Sequence, residues 1–184
     1  MKKLTRIEVE QLIASGTRLN LQNADLSNLD LSNLDFSGSI LTNANLSYSD
    51  LTNCIFKNVW LNDANMESAN LTSAYIKFSD LSNTLLNKSV MTNAKIIGCT
   101  LCEAQIKGAK MENIDLMGSN LRQTNLSGAD LTNASLEGVL LIDTNFTSSI
   151  LKNVHLKPKI AVQVNLKDAT LSGTYIPKIS PVLV

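Results

Sequence analysis

Few side chains in this sequence could do chemistry: one histidine, three cysteines and scattered carboxylates set beside hydroxyls. His155 could act as a general base or a metal ligand. Both roles need partners, either a Ser and an Asp or further metal ligands, and its neighbours Val154 and Leu156 supply neither. It reads as a surface ring. Cys54, Cys99 and Cys102 are odd in number and do not make a disulfide framework, which fits a reducing compartment. Asp30 and Asp50 stand twenty residues apart, and paired carboxylates can do acid–base work when a fold joins them. On an open convex face they read as solvated. There is no glycine-rich phosphate loop. The residues therefore predict no catalytic site, no cofactor and no metal.

Composition narrows the class further. The chain has 184 residues, 44% of them hydrophobic, which suits one domain with a buried core. Sixteen Lys and Arg balance sixteen Asp and Glu, which argues against direct nucleic-acid binding. Aromatics are 4%, too few for base stacking. No apolar run approaches the ~18 residues of a membrane span. Lys2 and Lys3 resemble the start of a signal peptide, but Arg6, Glu8 and Glu10 interrupt any apolar segment behind them. The expected setting is cytoplasmic, away from membranes.

The elements that must carry these residues are announced by a repeat. From Leu21 to Ile176 every fifth residue is large and apolar: of 32 such centres, 31 are Leu, Ile, Met or Phe, and Ala161 alone departs. A period of five matches neither helix nor flat strand, so the chain must turn a corner in every unit. Two residues before each centre the side chain is mostly small, as at Ala44, Cys54, Ala64, Ala94, Cys99 and Ala129; Leu29 and Leu34 are exceptions. Cys54 and Cys99 are then core fillers, while Cys102 falls on an outward position. Two residues after the centre Asn or Gly recurs, as at Asn33, Asn53, Asn133, Gly38 and Gly98. These types tolerate the positive φ at the second central residue of a type II turn. Four units make one coil. The Asn-X-Ser/Thr strings, such as Asn45-Leu46-Ser47, are by-products of this repeat.

Ala24-Asp25-Leu26-Ser27-Asn28, Ala44-Asn45-Leu46-Ser47-Tyr48 and Ala129-Asp130-Leu131-Thr132-Asn133 match the motif Ala-(Asp/Asn)-Leu-X-X. Residues 19–176 thus resemble the pentapeptide repeat family, in its leucine-centred branch, since 21 of 32 centres are Leu. The resemblance implies an all-β fold: a right-handed quadrilateral parallel β-helix of about eight coils, spanning roughly 38 Å at a strand spacing of about 4.8 Å. The expected division is an N-terminal helical cap over 1–18, a solenoid over 19–176 and a tail over 177–184. The expected core includes Leu21, Leu26, Leu31, Phe36, Leu81, Leu101, Leu121 and Leu141.

Both ends of such a rod need covers. Residues 4–15 read as a helix, with Thr5 and Glu8 as capping box, Leu4 and Val9 as staple, and Gly16 as stop. Ile7, Leu12 and Ile13 are expected to face the first coil. In Lys157-Pro158-Lys159-Ile160-Ala161 the inward slot falls on Lys159, which predicts a local bulge with Lys159 turned to solvent.

Outward positions, sorted by face, give candidate surfaces. Leu140, Ile142, Ile160 and Val162 should cluster near the C-terminal end. With Val182 and Leu183 of the tail they form a candidate interface, covered either by the tail or by a second copy in a homodimer. Ile55, Tyr75, Phe78, Ile97 and Met117 form a looser patch. Asn45, Asn65, Gln105, Asn125, Asn145 and Asn165 read as a structural amide ladder. Asp25, Asp30, Asp35, Asp50 and Asp80 form a candidate acidic surface: residues 19–87 carry seven acids and two bases.

The resemblance also brings a function into view. The best-understood members of the family mimic B-form DNA, bind DNA gyrase and protect it from quinolones or toxins. DNA carries one charge per about 1.7 Å, and net −5 over the acidic stretch is about half the density that such mimicry asks. The plasmid-type quinolone-protection members also project loops from their coils, whereas this register runs without insertion. The expected function is a non-enzymatic rigid scaffold that binds an unknown protein partner through an outer face. The alternative is a gyrase-interacting factor giving quinolone resistance or toxin immunity, disfavoured by charge.

Overall fold

A computed structural model describes residues 3–16 and 18–175; the tail residues Val182 and Leu183 lie outside them. The chain winds as a parallel β-helix. Bridges pair each residue before a centre with the residue twenty further on, in four ladders, such as Ile40↔Trp60, Asn45↔Asn65, Asp50↔Asn70 and Asp35↔Ile55. In two ladders the pairing lengthens into short strands. β1 (Ile55–Lys57), β2 (Tyr75–Lys77) and β3 (Lys95–Ile97) form one parallel sheet. β4 (Leu140–Ile142) and β5 (Ile160–Val162) form another.

One unit shows why five residues suffice. Every N–H of residues 45–49 has a partner. Asn45 donates to Ala24 O at 2.9 Å, Leu46 to Asn65 O at 2.6 Å and Tyr48 to Glu67 O at 3.0 Å, so three bonds reach neighbouring coils. Ser49 closes the turn on Leu46 O at 3.3 Å. The fifth N–H, of Ser47, finds the Asn45 side chain, Oδ1, at 3.2 Å. Buried backbone donors must be paired. Where an Asp or Asn precedes the centre, as Asn45 does here, it accepts from the one amide that the coils do not satisfy.

The turns take positive φ at their second central residue. Asn33 has φ 64°, Asn53 58° and Asn133 60°. Phe78 (52°), Glu103 (61°) and Gln123 (56°) do the same without being Asn or Gly, so winding overrides the local preference of these residues.

Inside, the centres Leu21, Leu26, Leu31, Phe36, Leu81, Leu101, Leu121 and Leu141 are all buried. Phe36 and Phe56 stack at 5.2 Å between ring centroids, 7° from parallel. Ala44, Cys54, Ala64, Ala94, Cys99 and Ala129 are buried beside the centres, whereas Leu29 and Leu34 are half-buried.

The N-terminal helix α1 (Arg6–Ala14) carries the Thr5–Glu8 capping box. Its inward face differs from the expected one. Ile7 and Leu12 are exposed, Ile13 is half-buried, and Val9 is the fully buried residue. The reason is the anchor before the helix: Lys3 bridges to Asp25 and Leu4 N donates to Asp25 O at 3.1 Å, which fixes the angle at which α1 meets the first coil. Arg6 then donates to Asp30 O at 3.0 Å and Ser32 O at 3.3 Å.

At residues 157–161 the ordinary turn is lost. Pro158 has no N–H to give, Lys159 is exposed, and its own N–H donates to Val139 O at 2.9 Å. Ala161, half-buried, leaves an apolar gap lined by Leu141, Phe146, Leu156, Pro158 and Leu166.

Candidate functional site

The groups with chemical potential are dispersed or occupied. Among the described residues no three His, Cys, Asp or Glu side chains come together as metal ligands. His155 is exposed on an outer face, paired across the ladder with Ser135 and Tyr175. Burial pushes the Cys54 thiol up to about 12, and its Sγ donates to Leu31 O at 3.0 Å. Burial likewise pushes Cys99 up to about 11. Half-exposed Cys102 is also raised by burial, with Arg122 pulling the other way.

The candidate acidic surface is assembled from carboxylates at work in the backbone. Asp25, Asp30, Asp35, Asp50 and Asp80 accept the N–H of Ser27, Ser32, Ser37, Thr52 and Ser82, at 3.1, 2.9, 2.8, 2.9 and 3.0 Å. Four of them also take the hydroxyl, as Asp25 does from Ser27 at 2.7 Å. The Ser27 bonds hold the Asp25 carboxyl below its ordinary value, and the Ser32 bonds, with Arg6 behind them, do the same for Asp30. Asp30 and Asp50 do meet in one ladder, but Asp30 is also bound by Arg6 at 2.9 Å.

Amide ladders run along two columns. Asn145 donates to Asn125 at 3.3 Å and Asn125 to Gln105 at 3.1 Å. A second column joins Asn153 to Asn133 at 3.2 Å and Asn133 to Asn113 at 3.1 Å. The sequence reading missed that second ladder, although its twenty-residue spacing was available.

Two apolar surfaces remain. β4 and β5 set Leu140 beside Ile160 and Ile142 beside Val162; Ile160 and Val162 are exposed, and Leu140 and Ile142 half-exposed. The other surface covers the β1–β2–β3 face and its corner. Trp60 is 54% and Phe78 61% exposed, two aromatic rings held outward at this corner. Each ring on this side has a cation over it: Arg18 over Trp60 at 5.5 Å, Lys57 over Tyr75 at 5.6 Å and Lys77 over Phe78 at 4.7 Å. Sequence spacing groups Ile55, Tyr75, Phe78, Ile97 and Met117 here; Trp60, which belongs to the neighbouring ladder, and the interleaved cations come only with the structure.

A solenoid of five-residue units, with an Asp or Asn acceptor before nearly half of its centres, defines a class, and a family comparison agrees. The chain belongs to the pentapeptide repeat family: the model for pentapeptide repeats, in eight copies, matches residues 20–58, 56–88, 85–123 and 124–157. Solved structures share the fold. Full-length QnrB1, described as a plasmid-mediated fluoroquinolone resistance protein, is 11% identical with a TM-score of 0.59, over 93% of this chain and 82% of that one. A trypsin-treated QnrB1 variant is 19% identical with a TM-score of 0.55, over 96% and 87%. HetL, from the cyanobacterium Nostoc sp. Strain PCC 7120 and involved in heterocyst differentiation regulation, is 20% identical with a TM-score of 0.42, over 92% of each chain. At these identities the likeness to the two QnrB1 structures is one of fold. Comparison with curated protein sequences finds no match. Among the described residues no helix is long and apolar enough to cross a membrane.

Proposed function

We propose that this chain is a non-enzymatic rigid scaffold that binds a protein partner through an outer face of the solenoid. The observation that carries this reading is the pair Trp60 and Phe78, large aromatics held outward at 54% and 61% exposure on a backbone fixed by ladder bonds. Exposed aromatics on a rigid surface are the side chains that anchor protein interfaces. The rod is a right-handed helix of about eight coils over 19–176, with a cap over 1–18 and a tail over 177–184. The free thiols of Cys54, Cys99 and Cys102 support a cytoplasmic setting.

A second reading takes the acidic side, Asp25 to Asp80, as a mimic of DNA that engages gyrase. The fold shared with QnrB1 favours it, and the Arg6–Asp30 pair at 2.9 Å weighs against it. A gyrase supercoiling assay with and without a quinolone separates the two. The scaffold reading expects no effect at tens of micromolar protein. Inhibition or protection below micromolar overturns it. The Leu140, Ile142, Ile160 and Val162 surface is proposed to pair two copies. Light scattering on the chain and on a version truncated after Ile176 tests this, and a monomer in both removes the homodimer.

A further inference from the structure

Charge on this protein is sorted by face rather than along the chain. Residues 19–87 carry seven acids and two bases, yet the two bases, Lys57 and Lys77, are direct neighbours in the β1–β2 register. β3 adds Lys95 opposite Tyr75. The outward side chains of the three strands form a two-by-three grid: Ile55, Tyr75 and Lys95 along one row, and Lys57, Lys77 and Ile97 along the other. Phe78 and Trp60 extend it around the corner, where Arg18 covers Trp60. None of Arg18, Lys57, Lys77 and Lys95 is in an ion pair among the described residues. The acids in the same ladder, Asp35 and Asp115, stand beyond its two ends, below Ile55 and above Lys95; at the corner Asp80 stands beside Trp60 in the next ladder, its carboxylate accepting from Ser82 N and Oγ.

We infer that this face, β1–β2–β3 with the Trp60–Phe78 corner, is the docking surface of the scaffold and takes an acidic protein segment bearing aliphatic or aromatic side chains. The inference rests on the scaffold reading and gives it a face and a partner chemistry. Unpaired ammonium groups call for carboxylates, and the apolar side chains between them call for apolar contact. A nucleic-acid strand fits less well, because base stacking needs an open ring face. Phe78 has Lys77 over its ring at 4.7 Å, and it lies so close to Gly98 that a Cβ there would come within 2.8 Å of its Cε1.

The test uses a fluorescein-labelled peptide of alternating glutamate and leucine, read by anisotropy. Emission from Trp60, the one tryptophan of the chain, reports contact at the corner. The test variant is Lys57→Glu/Lys77→Glu/Lys95→Glu. The control, Lys107→Glu/Lys110→Glu/Lys152→Glu, makes the same change in net charge on other faces, and both are first shown to melt like the wild type. The test variant should bind the peptide about tenfold or more weakly and lose the Trp60 response, while the control stays within about twofold. A greater loss in the control removes this face and leaves the scaffold reading standing. Equal loss in both, no binding by the wild type, or displacement of the peptide by oligothymidylate overturns the inference. The scaffold reading itself is tested separately, by the gyrase assay.

Discussion

The Ser79 hydroxyl closes a turn that the backbone leaves open. Val59 N donates to Ser79 Oγ at 3.0 Å, and the single Ser79 hydroxyl proton is shared between Phe56 O at 3.2 Å and Lys77 O at 3.1 Å. In an ordinary unit the first of these groups would bond the second directly, as Ser49 N does to Leu46 O at 3.3 Å. Ser119 repeats the arrangement one coil beyond Cys99, accepting from Cys99 N at 3.1 Å and donating to Ile96 O at 2.8 Å.

Ser79→Ala should therefore strand a buried N–H and destabilise the protein by about 1–3 kcal/mol. Ser49→Ala, where the turn bond survives, should cost less. Thermal melts followed by circular dichroism check this, with a fall of about 2–4 °C per kcal/mol at this chain length. Equal melting temperatures for the two variants would remove the bridging role.

The same substitution should act in the opposite sense at Ser149. Its hydroxyl is buried without a partner among the described residues, and Ala129 and Ala169 fill the same slot in the adjacent coils. Ser149→Ala should raise stability by about 1 kcal/mol, because it removes an unpaired polar group. A calorimetric melt that falls instead would show that the hydroxyl is satisfied in solution.

Leu101 is fully buried in the mid-rod, and the ladder Asp80↔Thr100↔Asn120 sets it between Leu81 and Leu121. Leu101→Asp places a carboxylate where nothing can pair with it, at a cost of several kcal/mol. The variant should be unfolded at room temperature. A circular-dichroism melt unchanged from wild type would refute the inward assignment.

Acid should weaken the first coils. The Asp25 and Asp30 carboxyls sit below their ordinary values through the Ser27 and Ser32 bonds. A depressed folded pKa stabilises above the unfolded value of about 3.9, and that contribution is lost as pH falls through the folded value. The melting temperature should drop below about pH 4. Asp25→Asn/Asp30→Asn keeps the acceptor oxygens, as Asn45 and Asn70 do, and should flatten that drop. Parallel pH profiles for wild type and variant would rule these carboxyls out.

Ala161 is the one small centre, and the gap beside it is lined by Leu141, Phe146 and Leu166. Ala161→Val, a smaller addition suited to a gap of about one water, should add about 0.5–1 kcal/mol. A lower melting temperature would mean that the space is already occupied.

Much of this protein is legible without coordinates. The centres, the small residues two before them and the Asn or Gly two after them are dictated by burial and by backbone sterics, which depend on residue type alone. Leu101, Ala104 and Asn133 could be placed from the five-residue period. The capping box at Thr5 and Glu8 was equally readable, because both partners lie in one helical turn. The direction of α1 was not: Val9 rather than Ile7 and Leu12 is buried because the Leu4–Asp25 bond aims the helix, and that bond joins residues from different elements.

Winding decided the rest. Residues twenty apart become neighbours, so Lys57 meets Lys77, Ser79 meets Val59 and Asn133 meets Asn153. The acidic stretch became a set of backbone acceptors with a cationic, aromatic face beside it. Inward side chains answer to water, which acts on each residue by itself. Outward ones answer to whichever side chain the next coil brings within a strand spacing, and only the wound structure supplies that neighbour.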